Sequence, residues 1–358
     1  MNSHFCTPNT NEEGDWVNLS RQKNISSDIA PTAGQMPRAL GLAFASKVFR
    51  KVDSLKAFPE LSDNGNEICF CTIGDASTSE GHFWEAVNAA GVMQIPLAIF
   101  VWDDGYGISV PKKLQTTKGS ISEVLKGFQQ REGTNGIDIY KLKGWDYASM
   151  IELMEPAIQK IRDTHIPAIF HIEEITQPQG HSTSGSHERY KTPERLEWER
   201  EWDCIKKMKE WMLENGLASI EELATVEAAA KEVVKEGRNL AWEKYIAPIK
   251  QQAEHASELI RQSMVNDIDK YNTLQQMATE LASSKEPLRR DIIRTIALAV
   301  EVAPFSPSAN DLKALRQQLL EENTSLYNSH LYNEGAKSAL NITEVKPLIA
   351  FDAPTVNG

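Results

Sequence analysis

Cysteine is scarce: four in 358 residues, Cys6, Cys69, Cys71 and Cys204, none in a metal-binding spacing. That excludes a disulfide-stapled scaffold and a zinc knuckle, and it points to reduced thiols in a cytoplasmic setting. Cys69 and Cys71 alternate along a predicted strand, where a free thiol packs as a small hydrophobe. Long apolar runs are missing too. None approaches the roughly 20 residues that a membrane helix needs, so no membrane partner is expected. The stretch MNSHFCTPNT has neither the basic region nor the apolar region of a signal peptide. Positive charge is also short, with 38 Lys and Arg against 50 Asp and Glu and a net charge of −12. A general nucleic-acid binder needs a basic face, so nucleic acid is excluded as a partner. Any anionic ligand must be held locally, by backbone N–H groups, a helix N-terminus or a bound cation.

What is present is the balance of a globular protein, 41% hydrophobic and 25% charged, in a chain long enough for two or three domains. From about residue 30 to 200, helical patterns alternate with short apolar strands: EICFCTIGD (67–75), PLAIFVWDD (96–104) and PAIFHIEEI (167–175). Such near-continuous apolar runs belong to a parallel sheet covered on both faces. SEGHFWEAVNAAGVMQ (79–94), between the first two, places Phe83, Val87, Ala90 and Val92 at near-helical spacing. The result is a βαβ unit in an α/β sheet, which binds its ligands at the carboxyl ends of the strands. Beyond about 194 the strands vanish into long charged, Ala-rich helical segments, with Gly216 read as a helix C-terminus and Ser219 as an N-cap. Further helices are predicted at 286–302 and 308–322, and heptads are not sustained, which favours a packed helical region over a coiled coil.

Gly74, Asp75, Ala76 and Ser77 follow the first strand directly. Glycine lets a ligand approach the backbone closely, Asp75 stands at the strand tip, and Ser77 to Glu80 are expected to open the next helix. Free N–H groups there suit a diphosphate, which an aspartate reaches only through a hard cation such as Mg²⁺. Asp104 occupies the matching end of the neighbouring strand, in Trp102-Asp103-Asp104-Gly105-Tyr106-Gly107. Each piece alone is an ordinary turn signal. On consecutive strands of one βαβ unit, the pair reads as a shared metal site.

GDASTSEGHFWEAVNAAGVMQIPLAIFVWDDGYGISVP resembles the thiamine-diphosphate motif of 2-oxo acid dehydrogenases. The match is to the alpha subunit of their decarboxylating component, of the branched-chain (2-oxoisovalerate) or pyruvate type. The resemblance implies a thiamine diphosphate-binding α/β fold followed by a helical C-terminal region, with thiamine diphosphate and Mg²⁺ as cofactors. It makes Asp75, Asp104 and the Tyr106 carbonyl metal ligands and lays Gly74, Ala76 and Ser77 against the diphosphate. Ala76 replaces the motif's second glycine. Asp103-Asp104 replaces Asn-Asn, so the ion would meet two carboxylates, which couples metal and cofactor binding more tightly. SDIAPTAGQMPRALGLAFA (27–45) looks like the segment beside the cofactor, which implies cofactor contacts for Thr32, Ala33 and Gln35. His4 matches an active-site histidine of the family. In the loop from Gln179 to Tyr190, His-Ser-Thr-Ser makes His181 the catalytic histidine and Ser182 a cofactor contact, while His187 is read as a solvated loop residue. Gln177 stands where branched-chain members have an arginine, which leaves the acyl preference open.

The resemblance covers about residues 1–250 and leaves out family features. About a hundred residues that precede the His4 segment in the family, including a Tyr-Arg pair on the diphosphate, have no counterpart. Neither has the beta subunit or domain with its ring-activating glutamate. The ending ITEVKPLIAFDAPTVNG reads as a linker toward such a domain. The expectation is a fragment of a larger oligomeric enzyme. Residues 1–200 form its cofactor domain, 201–358 form a helical extension and linker, and a lipoyl-bearing acyltransferase takes the acyl group. The competing readings are a transketolase-like enzyme, a metal-dependent phosphohydrolase built on Asp75 and Asp104, and a non-catalytic assembly fragment.

Overall fold

All three apolar runs become parallel strands, and a fourth joins them. The computed structural model describes residues 6–27, 29–181, 187–263, 266–328, 333–336 and 338–344. Its contacts divide the chain into an α/β unit up to Ser219 and a helical unit from Ile220. The segment after residue 332 clusters with the α/β unit, where Glu334 donates its N–H to the Gly14 carbonyl at 3.0 Å.

The α/β unit runs α1 (Gln35–Lys51), β1 (Cys69–Gly74), α2 (Gly81–Met93), β2 (Leu97–Trp102), a hairpin of β3 (Tyr106–Gly107) and β4 (Val110–Pro111), and the short α3 (Ile121–Val124). There follow β5 (Asp138–Lys143), α4 (Tyr147–Thr164), β6 (Ala168–Glu173), α5 (Pro193–Glu201) and α6 (Cys204–Glu214). The sheet order is β1-β2-β6-β5 with every pair parallel.

Side chains alternate across each strand, so β2 feeds two cores at once. Leu97, Ile99 and Val101 pack with Met36, Ala39 and Ala43 of α1 and Phe83, Val87 and Ala90 of α2. Ala98 and Phe100 join Phe170, Ile172 and the α4 residues Ala157 and Ile161 on the other face. The sheet is thus covered by helices on both sides, as its apolar central strands require. Phe70, Phe100, Phe170 and Tyr140 stack across the strands at centroid spacings of 5.9, 4.8 and 5.2 Å.

The predicted helix start needs correction. Residues Ala76–Ser79 form a tight 3₁₀ turn, and α2 begins only at Gly81. Gly216 closes α6 as its composition suggests: at φ +65° it donates to Leu213, and Leu217 donates to Met212, the paired bonds of a Schellman end.

In the helical unit, α7 (Ile220–Gln262), α8 (Ile268–Ser283), α9 (Arg289–Val302) and α10 (Ala309–Asn328) surround one core. Ile246, Ile249, Ala253, Ala256 and Ile260 recur at helical spacing along α7 and meet Leu274, Ile296 and Leu312. Among the described residues, no helix is long and apolar enough to cross a membrane.

Candidate functional site

The carboxyl ends of β1 and β2 gather Gly74, Asp75, Ala76, Ser77, Asp104 and Tyr106 in one place. Register puts Gly74 beside Trp102, so the aspartates just beyond both strands stand side by side, and Asp75 donates its N–H to the Trp102 carbonyl at 3.1 Å. The Thr78 hydroxyl returns to the Asp75 carbonyl at 2.6 Å and holds the 3₁₀ turn. Gly107 comes up against this turn: a Cβ there would lie 2.7 Å from the Ala76 methyl. A methyl at Ala76 fits because its neighbour across the turn has no side chain.

Asp75 is only 4% exposed, and its Oδ2 is buried without a hydrogen-bond partner. Burial and the nearby charges of Asp103 and Asp104 push its carboxyl up to about 7. Asp104 is also pushed up, chiefly by burial, although the Tyr106 N–H donates to its Oδ1 at 3.1 Å. A buried carboxylate oxygen with no donor, among further carboxylates, is the surrounding a divalent cation satisfies. The donor set fits a hard ion: Asp75, Asp104 and a turn carbonyl at Tyr106.

Asp103 has a different role. Its Oδ2 accepts from Lys112 Nζ at 2.7 Å and from His171 Nε2 at 2.9 Å, and its Oδ1 accepts the Gly105 N–H at 2.9 Å. Burial acts to raise its pKa, but the bonds from His171 and Lys112 outweigh burial and hold it below the usual range. The chain continues through His171 Nδ1 to the Ser122 hydroxyl at 2.9 Å. Asp103, His171 and Glu173 offer ligand atoms within 4.8 Å of one another. Lys112 on Asp103 and Lys141 on Glu173 (3.0 Å) already neutralise that trio, so it is a paired network.

The turn carrying Asp104 and Tyr106 is also gripped from α5. Arg195 donates to the Asp104 carbonyl at 2.8 Å and, through Nε, to Glu199 at 2.8 Å. Buried Lys191 pairs with both Glu199 oxygens at 2.7 and 2.9 Å. The Lys191 ammonium and the Arg195 guanidinium lie 5.2 and 5.5 Å from the Tyr106 ring centroid, and the Tyr190 ring lies 5.8 Å away. His171, Lys112, Lys191, Arg195 and Glu199 were not singled out from the sequence. His171 did leave a signal, as an imidazole inside an otherwise apolar strand.

The outer residues are less tightly gathered. Ala33 takes φ +59° while buried, and the Thr32 carbonyl beside it accepts from His82 Nε2 at 2.8 Å, which ties this segment to the first turn of α2. Gln35 donates its amide to the Thr72 carbonyl at 2.9 Å, a group that edge strand β1 leaves unpaired on its outer side. His181 is exposed, and its backbone meets the Tyr190 hydroxyl. His187 differs from the solvated residue expected: its Nδ1 is buried without a partner, and its Nε2 lies 3.2 Å from Glu188. His4 and Ser182 lie outside the described residues.

Comparison with known proteins bears on the same stretch. The model of the dehydrogenase E1 component family matches residues 5–250. The pyruvate dehydrogenase E1 component subunit alpha of Rickettsia bellii is 28% identical over 203 residues, 56% of this chain and 55% of that protein. That of Porphyra purpurea is 28% identical over 214 residues, 60% of this chain and 57% of that protein. The mitochondrial 2-oxoisovalerate dehydrogenase subunit alpha of Mus musculus is 24% identical over 218 residues, 59% of this chain and 44% of that protein. The chain spans about half the length of the curated relatives it matches.

Proposed function

The chain belongs to the dehydrogenase E1 component family, and from that premise we propose that it is the cofactor-anchoring alpha part of a 2-oxo acid dehydrogenase using thiamine diphosphate and Mg²⁺. The observation that carries this reading is the buried, donorless Oδ2 of Asp75 beside Asp104 at the strand ends. Asp75, Asp104 and the Tyr106 carbonyl would hold the ion. Gly74, Ala76 and Ser77 would lie along the diphosphate, and Thr32, Ala33 and Gln35 would approach the ring through the α1 entry segment. Thiamine diphosphate, when bound, supplies the nucleophilic thiazolium carbon and the electron sink for decarboxylation.

This chain's own share is mainly positioning. Asp103, paired with Lys112 and His171, would steady the turn that carries Asp104 and the Tyr106 carbonyl. Arg195 fixes the same turn from the other side through the Asp104 carbonyl. His181 would be the catalytic histidine and a proton donor, with His4 a further active-site histidine, as the resemblance implies. The substrate is pyruvate or 2-oxoisovalerate, and the acyl group passes to the lipoyl arm of an acyltransferase. The ring-activating carboxylate would come from a beta subunit or domain, and the working enzyme would be an oligomer. Described free thiols at Cys6, Cys69, Cys71 and Cys204 support a reducing compartment such as the cytoplasm.

The test is reconstitution with the beta partner and a lipoyl domain, with pyruvate and 2-oxoisovalerate supplied in parallel. The expected result is acyl-lipoyl formation from one of them, lost in Asp75→Ala. Ketol transfer to an aldose without lipoyl acylation, or phosphate release from a phosphoester without thiamine, would overturn the reading.

A further inference from the structure

Far from the strand ends in sequence, and beyond the family match at residue 250, one face of the helical unit gathers four arginines in an acidic chain. Arg289, Arg290 and Arg294 of α9 and Arg316 of α10 line one cleft of ≈ 470 Å³. Ile293 and Ala297 form its apolar floor, and no Asp or Glu is among its lining residues. The cleft is shallow and open, so a ligand there would be held by its charges more than by enclosure.

Several features show that this charge is not spent inside the protein. Among the described residues, Arg294 and Arg316 make no ion pair, and Arg290 has only an exposed contact with Asp291 at 3.5 Å. Arg289 leans over the Tyr245 ring at 6.0 Å and reaches the Tyr327 hydroxyl at 3.3 Å, yet its Nε is buried without a partner. Arg289 and Arg290 are also the first two residues of α9, whose N-cap Leu288 makes no side-chain cap bond. Cations at the positive end of a helix dipole are unfavourable, and Asp291 is the one acidic side chain in that first turn. Each guanidinium presents a planar fork that binds phosphate oxygens in pairs, which lysines do not.

We infer that this cleft binds a small organic polyphosphate of nucleotide size. The phosphates would meet the four guanidinium groups, and an aromatic body would lie on the Ile293–Ala297 floor beside Tyr327. The inference does not depend on the cofactor assignment at the strand ends, because it involves a different unit of the chain and different ligand groups.

ATP serves as the probe, titrated by calorimetry into the full chain with EDTA present so that no metal-dependent diphosphate site contributes. Saturable binding is expected, weakened about tenfold or more in R294Q/R316Q, with R294K/R316K falling between because charge stays and the fork is lost. Both positions are exposed, so the fold should persist, which circular dichroism checks. Asp75→Ala should leave this binding unchanged. Inorganic tripolyphosphate should bind more weakly than ATP, because it offers nothing to the apolar floor. The inference is overturned by absent or non-saturable binding, by equal affinity in R294Q/R316Q, or by loss of binding in Asp75→Ala. Equal affinity for tripolyphosphate and ATP would overturn the organic body of the ligand.

Discussion

Asp75 shows how one side chain can be costly alone and useful when loaded. Burial first, then the charges of Asp103 and Asp104, disfavour its ionised form, whose Oδ2 has no donor, and its pKa rises from 3.8 to about 7. The unfolded chain gives up this proton near 3.8 and the folded chain near 7. The stabilising contribution is therefore full below 3.8 and lost as pH rises through 7. Asp75→Asn, which carries no such proton, should gain stability relative to the parent as pH rises across that window. Urea melts at pH 5 and pH 8 without metal check this, and a pH-independent difference would contradict it. Asp103 works in the opposite sense, because its carboxylate is the shared acceptor for Lys112 and His171. Asp103→Ala leaves a buried imidazole and an ammonium without their acceptor and should cost about 3 kcal/mol. Asp103→Asn keeps an acceptor for Gly105 and can donate to His171 Nε2 once the imidazole changes tautomer, so it should cost less, about 1 kcal/mol. Equal losses for the two in chemical denaturation would show that the side chain only fills space.

Elements set how the turns meet. The 3₁₀ turn Ala76–Ser79 and the β3–β4 hairpin come together where Gly107 faces Ala76, so Gly107→Ala would place methyl against methyl and crowd Gln115. Its expected result is a cofactor affinity lowered about tenfold with the fold retained, and Ala76→Gly in the same chain should recover most of it. A double variant no better than Gly107→Ala alone would rule out this contact as the cause. The elements also explain what could be read beforehand. β2 and β6 are buried on both faces, so their composition is continuously apolar and visible. β5, DIYKLK, went unrecognised because it lies at a sheet edge and carries two lysines on a half-buried strand. Asp75, Asp104 and Tyr106 were legible because each sits next to a strand end in a turn motif. The supports were not: His171 reaches Asp103 across 68 positions and Arg195 reaches Asp104 across 91. Those contacts follow from a strand order that places β6 beside β2, which no local pattern encodes. Ser77 was expected inside the next helix, but the tight turn holds it at the strand end.

Among the described residues the cores of the two units are built separately, two on the faces of the sheet and one among α7 to α10. Damage to one should therefore spare the chemistry of the other. Ile296→Ala, at a fully buried site in the helical core, should cost about 2–5 kcal/mol in that unit. It should leave Mg²⁺-dependent cofactor binding unchanged, and calorimetric unfolding alongside a binding titration tests both halves. A parallel loss of binding would mean that the units do not act independently. The strand-end cradle of Asp75, Asp104 and the Tyr106 turn carries the proposed role. The most direct measurement is titration calorimetry of thiamine diphosphate into the full chain, with the beta partner added, in the presence and absence of Mg²⁺. Binding that requires the ion, with proton release as Asp75 ionises, is the predicted result. Binding of equal strength without the ion, or none with both ion and partner present, would contradict it.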